Sequence, residues 1–280
     1  MQTIAVPYDF SPYAEAALDF AIQLSHKTNA EIKLIHVIEY PLATTFNVTG
    51  EIEADEQMDK IFTLELIKKT NERMKTVLQA YEGTENINQV ILMGNAYDGI
   101  TGQIEELDAD LIVMGTKGAT GLKELLVGSN TEKIVRNAHC PVIAIHEKCD
   151  INSIQDVVFA TDLDETHHKI LKSFDGFRKV LEAKLHLVWV DTPYNSVNDD
   201  LGKERLETIA RKNDLENYEV HIAKAFKPEE GILSFSWQLK ASMIGMSTHS
   251  HKGLVHFFVG SVAEDVVNHA TIPVWTCSIK

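Results

Sequence analysis

Cysteine is scarce in this chain, and the little there is shows no chemistry of its own. Cys140, Cys149 and Cys277 have neither a C-x-x-C pair nor metal-ligand spacing, and their odd number argues against a disulfide framework. They read as small core or surface thiols. Long apolar runs are missing too: none approaches the roughly 20 residues a membrane span needs, so no membrane association is expected. No signal-like stretch precedes the first strand, which begins almost at Met1, and the expected location is therefore cytoplasmic. Positive charge is in short supply, with 26 Lys and Arg against 41 Asp and Glu and a net charge of −15. Binding a nucleic-acid backbone takes a basic face, and none is visible. Two phosphate signatures are also absent: the Gly-Lys-Ser/Thr of a Walker loop and a Gly-x-Gly-x-x-Gly following a strand. What the sequence does have is 44% hydrophobic residues over 280 positions, enough for a real core in each of two ordinary domains.

The most informative stretch runs from Leu111 to Ile145. An apolar run, Leu111 to Met114, is short enough for a buried parallel strand. Gly115-Thr-Lys-Gly118 follows, then nine residues, then Gly128-Ser129-Asn130-Thr131 and a further apolar run from Pro141 to Ile145. This reads as strand, glycine loop, helix, strand. Gly115, Gly118 and Gly128 are expected to supply turn dihedrals that a Cβ would forbid and to bare backbone N–H groups. Ser129, Asn130 and Thr131 gather hydroxyl and amide groups where a helix dipole is positive, a place that favours phosphate. Taken alone, three glycines between a strand and a helix are ordinary punctuation.

The stretch repeats. A shift of 132 residues lays Met246 to Leu254 onto Met114 to Leu122, Val259-Gly260-Ser261 onto Val127-Gly128-Ser129, and Pro273-Val274 onto Pro141-Val142. Ile4 to Asp9 likewise matches Val157 to Asp162, and Ile32 to Val37 matches Leu185 to Val190. The chain is a tandem duplication, with domains expected at 1–149 and 150–280. Each copy has the size of one ordinary domain.

Both halves alternate strands with helices, which predicts an α/β fold of two Rossmann-like domains. Each is a five-stranded parallel sheet of order 3-2-1-4-5, covered by helices on both faces. In the first half the expected strands are 3–7, 31–39, 87–93, 111–114 and 141–145. Helices are expected from Ser11-Pro12, over 51–81, over 98–107 and from Ser129 to Ala138. The long helix should bury Ile67, Met74, Val77, Leu78 and Tyr81. A polar segment, 147–153, joins the halves. In the second half strands at 156–160, 184–190, 218–223, 243–246 and 273–277 alternate with helices near 167–181, 198–213, 228–239 and 262–269. The Pro-led last strands, 141–145 and 273–277, lie at sheet edges; apolar edges invite pairing, so these two should pair antiparallel about a pseudo-twofold axis.

Ligands of an open parallel sheet bind where the winding reverses, outside the carboxyl ends of the strands. That point lies between the first and fourth strands of the first half, with Pro7-Tyr8-Asp9 facing Gly115.

The full pattern G-x2-G-x9-G-S-x-T after a strand ending in Met114 resembles the ATP-binding loop of the universal stress protein family. The resemblance implies a fold of the adenine nucleotide alpha hydrolase type, an antiparallel pseudo-dimer of the two halves, and ATP, alone or with Mg2+, as the ligand. It implies Val37, Met114 and Pro7 around adenine and Asp9 near adenine or ribose. Gly115 and Gly118 then lie on the phosphates, with Gly128, Ser129, Asn130 and Thr131 closing around them. Outside this resemblance, Asp9 reads as a helix-start carboxylate, and Val37 and Met114 as core. In the second half Ser247 and Ser250 replace the first two glycines, Ala160 replaces Pro7, and Val262-Ala263 replaces Asn130-Thr131. One ATP per chain is therefore expected, in the first half.

Phosphoryl transfer needs a metal-holding carboxylate, a base or water-positioning group, and cationic charge on the phosphates. Asp9 and Lys117 are all that the sequence suggests, with no clear base and no catalytic residue. The expectation is a nucleotide-dependent regulator. A nucleotide-free adaptor and a slow ATP-hydrolysing enzyme are the alternatives. His249, His251 and His256 stand close in sequence but lack a partner at known ligand spacing, so no metal is expected.

Overall fold

The computed structural model describes residues 1–39, 56–81, 86–117, 128–163, 168–248 and 261–278, with the backbone alone at 56–60 and 261. Its strands in chain order are β1 (Thr3–Pro7), β2 (Glu31–Ile38), β3 (Ile87–Met93), β4 (Leu111–Gly115), β5 (Val142–Ile145), β6 (Asp156–Ala160), β7 (Lys184–Asp191), β8 (Tyr218–Lys224), β9 (Met243–Ser247) and β10 (Val274–Cys277). Between them run α1 (Pro12–Thr28), α2 (Glu56–Leu78), α3 (Ala96–Glu106), α4 (Ser129–Asn137), α5 (His168–Val180), α6 (Asp199–Lys212), α7 (Pro228–Leu239) and α8 (Ser261–His269).

All ten strands form one sheet of order β3-β2-β1-β4-β5-β10-β9-β6-β7-β8. Each half keeps the expected order and is parallel throughout. At the centre β5 and β10 pair antiparallel, Ile143 opposite Trp275, as the two apolar edges predicted. Thr276 Oγ1 donates to Val142 O (3.4 Å) and Ser278 Oγ to Ala138 O (2.6 Å) across this seam, and Arg136 Nε reaches Glu264 Oε1 at 2.7 Å.

The sheet has two covered faces because its strands are apolar on both. On one face α1 contributes Ala14, Ala17, Leu18 and Ala21, the narrow stripe legible in the sequence, and all four are buried. Ser11 caps that helix, its Oγ accepting from Ala14 N at 3.1 Å, and Pro12 sits where a missing N–H is harmless. On the same face α5 buries Ile170, Phe174 and Phe177, and Leu181, just past its end, is buried with them. On the other face Ile100 and Ile104 of α3 and Ile134 and Val135 of α4 cover Ala5, Ile35, Ile112 and Met114.

Three local expectations need adjusting. Helix α3 begins at Ala96 rather than Asp98 because Asn95 is its cap, its side chain accepting from Asp98 N at 3.2 Å. Helix α2 buries Met74 fully and Ile67, Val77, Leu78 and Tyr81 only in part; the expected start at 51–55 lies outside the described residues. The joining segment is less polar in its packing than in its composition. A short 3-10 turn, Ile151–Ser153, is fastened to α1 through Ile151 N to Gln23 Oε1 (2.9 Å), with Ile151 and Ile154 both buried.

Candidate functional site

The carboxyl ends of β1, β2 and β4 meet where the strand order reverses. Pro7 pairs with Ile35, and the register of Ile4 with Leu111 and Ala5 with Ile112, continued, sets Pro7 level with Met114. Alternation then places Pro7, Val37 and Met114 on a single face of the sheet, the one that α3 and α4 cover. Pro7 and Met114 are buried and Val37 is half-buried. Val37 packs against α3 at Gly99, where an added Cβ would lie 3.1 Å from Val37 Cγ2.

Beyond Pro7 the chain makes a strained turn. Phe10 has φ of 63°, in the left-handed region where a bulky residue is disfavoured, and Leu163, its counterpart 153 residues on, has φ of 64°. Holding both copies of the turn in this conformation costs about 1–3 kcal/mol each. The Asp9 carboxylate accepts from Ser11 N at 3.0 Å, so the helix-start reading of this residue holds as geometry. Around the turn, Phe10 meets Tyr8 and His36 edge to face at 5.1 and 4.9 Å, and the Arg73 guanidinium lies 3.9 Å from its ring centre. Tyr8 is buried and burial raises its pKa, so the phenol stays neutral.

The two ends of the glycine loop are fastened together. Gly128 N donates to Thr116 O (2.7 Å), Thr131 Oγ1 to Gly115 O (2.9 Å) and Ser11 Oγ to Lys117 O (3.4 Å). These bonds hold the amino end of α4 against the end of β4 and the start of α1. Gly128 is the cap of α4 and offers no side-chain bond, while Ser129 is exposed and Asn130 half-exposed. The first-turn N–H groups of α4 thus have no capping side chain at Gly128. Lys117 Nζ lies 5.8 Å from the centre of the Tyr13 ring.

Of the ten residues read as a site, the fold gathers nine at this crevice; Gly118 lies outside the described residues, as do Ser250, His249, His251 and His256. Two readings change. Gly115 and Gly128 do not supply turn dihedrals that a Cβ forbids. Gly115 is a strand residue and Gly128 has φ of −61°, and among the described glycines only Gly94 has a positive φ. Gly115 is needed for close packing instead, since a Cβ there would lie 2.6–2.8 Å from the backbone and Cβ of Tyr13 in α1. Thr131 is buried, and its hydroxyl is spent on Gly115 O. Sequence reasoning passed over Thr116, whose Oγ1 is buried at the end of β4 without a hydrogen-bond partner among the described residues; Thr248 in the matching place of the second half was the available signal.

The packing of Gly115 carries a prediction. Gly115→Ala should lower the apo melting temperature, because overpacking of this kind typically costs about 1–3 kcal/mol. Thermal unfolding followed by circular dichroism checks it, and an unchanged midpoint would show that α1 can move away from β4 freely.

The fold defines a duplicated, doubly wound α/β protein, one parallel sheet order repeated in each half. The model of the universal stress protein family matches residues 1–146 and again 153–278, and the chain belongs to that family. Universal stress protein Slr1230 of Synechocystis sp. is 25% identical in an alignment covering 99% of each chain. Universal stress protein MJ0531 of Methanocaldococcus jannaschii is 32% identical over 142 residues, 51% of this chain and 80% of that one. Among solved structures, a universal stress protein from Archaeoglobus fulgidus superposes with a TM-score of 0.72 at 22% identity, covering 99% of this chain and 96% of its own. Among the described residues no helix is long and apolar enough to cross a membrane.

Proposed function

We propose that this universal stress protein binds one adenine nucleotide, ATP, in the crevice of its first half and acts as a nucleotide-dependent regulator. The observation that carries this reading is the uncapped amino end of α4, held at the sheet's switch point beside an apolar face made by Pro7, Val37 and Met114. A purine needs such a flat apolar wall, and a polyphosphate needs helix-end N–H groups with small residues beside them. Ser129 and Asn130 add polar groups at the same end. Asp9 stands at the end of β1, in reach of a ribose or purine edge.

Binding rather than turnover is favoured by what lies around the crevice. Asp9 already accepts from Ser11 N, and the Tyr8 phenol is buried and neutral, so neither is set up as a general base. Purified protein, heated and centrifuged, should release an adenine nucleotide into the supernatant, identified by chromatography and mass. An empty supernatant, together with no thermal shift on adding ATP, would favour the adaptor.

A further inference from the structure

The face of the sheet that carries β6, β7 and β8 holds a histidine cluster unrelated to the nucleotide crevice. Asp156 begins β6, His186 is the third residue of β7, and Glu219 and His221 are two apart on β8, so that alternation and register bring all four to one side. Asp156, His186 and Glu219 lie in the amino-terminal halves of β6, β7 and β8 and His221 at the middle of β8, short of the carboxyl ends of these strands. His186 Nδ1 and His221 Nε2 face each other at 3.0 Å, and Glu219 Oε2 lies 3.7 Å from each. Among the described residues this is the one group of three or more whose ligand atoms converge in this way.

We propose that His186, His221 and Glu219 form a binding site for a divalent transition-metal ion of the zinc type, with the fourth position open to water. The spacing is what argues for it. Metal bonds of about 2.0–2.1 Å in a tetrahedral arrangement put ligand atoms about 3.4 Å apart, and the three distances here bracket that value. The donor set of two imidazoles and one carboxylate is one that zinc uses.

The surrounding bonds prepare His186 and Glu219 for the ion. Asp156 Oδ1 lies 2.8 Å from His186 Nε2, so Nε2–H donates to that carboxylate and Nδ1 is left with its lone pair directed at His221 and Glu219. His186 is almost fully buried, which fixes its ring. Lys184 Nζ takes the other oxygen of Glu219 at 2.6 Å, leaving Oε2 turned toward the histidines.

The duplication provides an internal control. The positions of Lys184, His186, Glu219 and His221 correspond to Glu31, Lys33, Asn88 and Val90 in the first half. There Lys33 Nζ bonds Glu31 Oε1 at 2.6 Å, a plain ion pair with no imidazole. The histidine set belongs to the second copy alone.

The test is calorimetric titration of the full chain with Zn2+, backed by the visible absorption of Co2+ as a stand-in ion. One ion per chain is expected. Asp156→Asn should weaken binding by about 10–100-fold, the usual effect of losing the group that orients a metal-bound histidine, and His221→Gln should weaken it more. Glu219→Gln, at an exposed side chain, serves as the variant least able to disturb folding, which circular dichroism verifies. A chain in which His249, His251 and His256 are all changed to Gln should bind as the unaltered protein does. Undiminished Zn2+ affinity in His221→Gln and Glu219→Gln, loss confined to the loop-histidine variant, or no binding at all would overturn the assignment.

Discussion

Calorimetric titration of the intact chain with ATP is expected to give one bound nucleotide, in the first half. The two crevices differ in chemistry and in shape. Where the first has Gly115, Asn130 and Thr131, the second has Ser247, Val262 and Ala263, so the amide of Asn130 has no counterpart. The wall residue differs as well: Val37 is half-buried, whereas Val190 is only 6% exposed because α7 lies hard against it at Gly231. A hydrogen bond to a charged group contributes about 1.5–3 kcal/mol, and each 1.4 kcal/mol is tenfold in affinity. Losing even the one contact of the Asn130 amide weakens the second site by about tenfold or more. Asn130→Val, which copies the second half, should lower the affinity of the first site about tenfold or more while leaving the apo protein intact. In the unaltered chain, ATP at a hundred times its dissociation constant should add about 2.7 kcal/mol of stability, and the same ATP concentration should add less in the variant. Two equivalent sites would refute the asymmetry; an unaltered ATP response in Asn130→Val would remove the α4 end from the site.

Trp275→Ala is expected to cost about 3–5 kcal/mol, the usual range for truncating a buried aromatic residue. Trp275 is 1% exposed, meets Phe174 edge to face at 5.2 Å, and lies opposite Ile143 in the one antiparallel pairing that joins the halves. Its removal opens a cavity where α5, β9 and β10 converge, beside Gly245, which already has no room for a Cβ against the Phe174 ring. Urea unfolding by far-ultraviolet circular dichroism measures the loss. A cost below about 1 kcal/mol would mean that the seam repacks easily, contrary to how interiors of this density behave.

The order of elements was legible because the chain states it twice, once in each half. A pattern such as Val157 to Asp162 is ambiguous alone, but its match to Ile4 to Asp9 makes both the ends of equivalent strands. The antiparallel seam was legible too, since two apolar edges on one chain have few other ways to be covered. The loop spacing of the first half pointed to the universal stress protein family, and the family model, matching both halves, shows the membership.

Other features could be decided only by tertiary structure. The sequence shows that Gly115 is glycine; the approach of Tyr13 across the sheet supplies the reason, and no local pattern encodes that distance. Thr131 reads as a polar group at a helix start, yet its position under β4 turns the hydroxyl inward to Gly115 O. The metal cluster is the plainest case. Asp156, His186, Glu219 and His221 are scattered over 66 positions with no ligand spacing, whereas the three neighbouring loop histidines look more like a site in the sequence. Strand register, a property of the whole sheet, is what brings an imidazole of β7 within 3.0 Å of one on β8. Local sequence determines which residues make strands and caps, because those depend on neighbours in the chain; the sites depend on which strands lie side by side, and that is settled only when the sheet has formed.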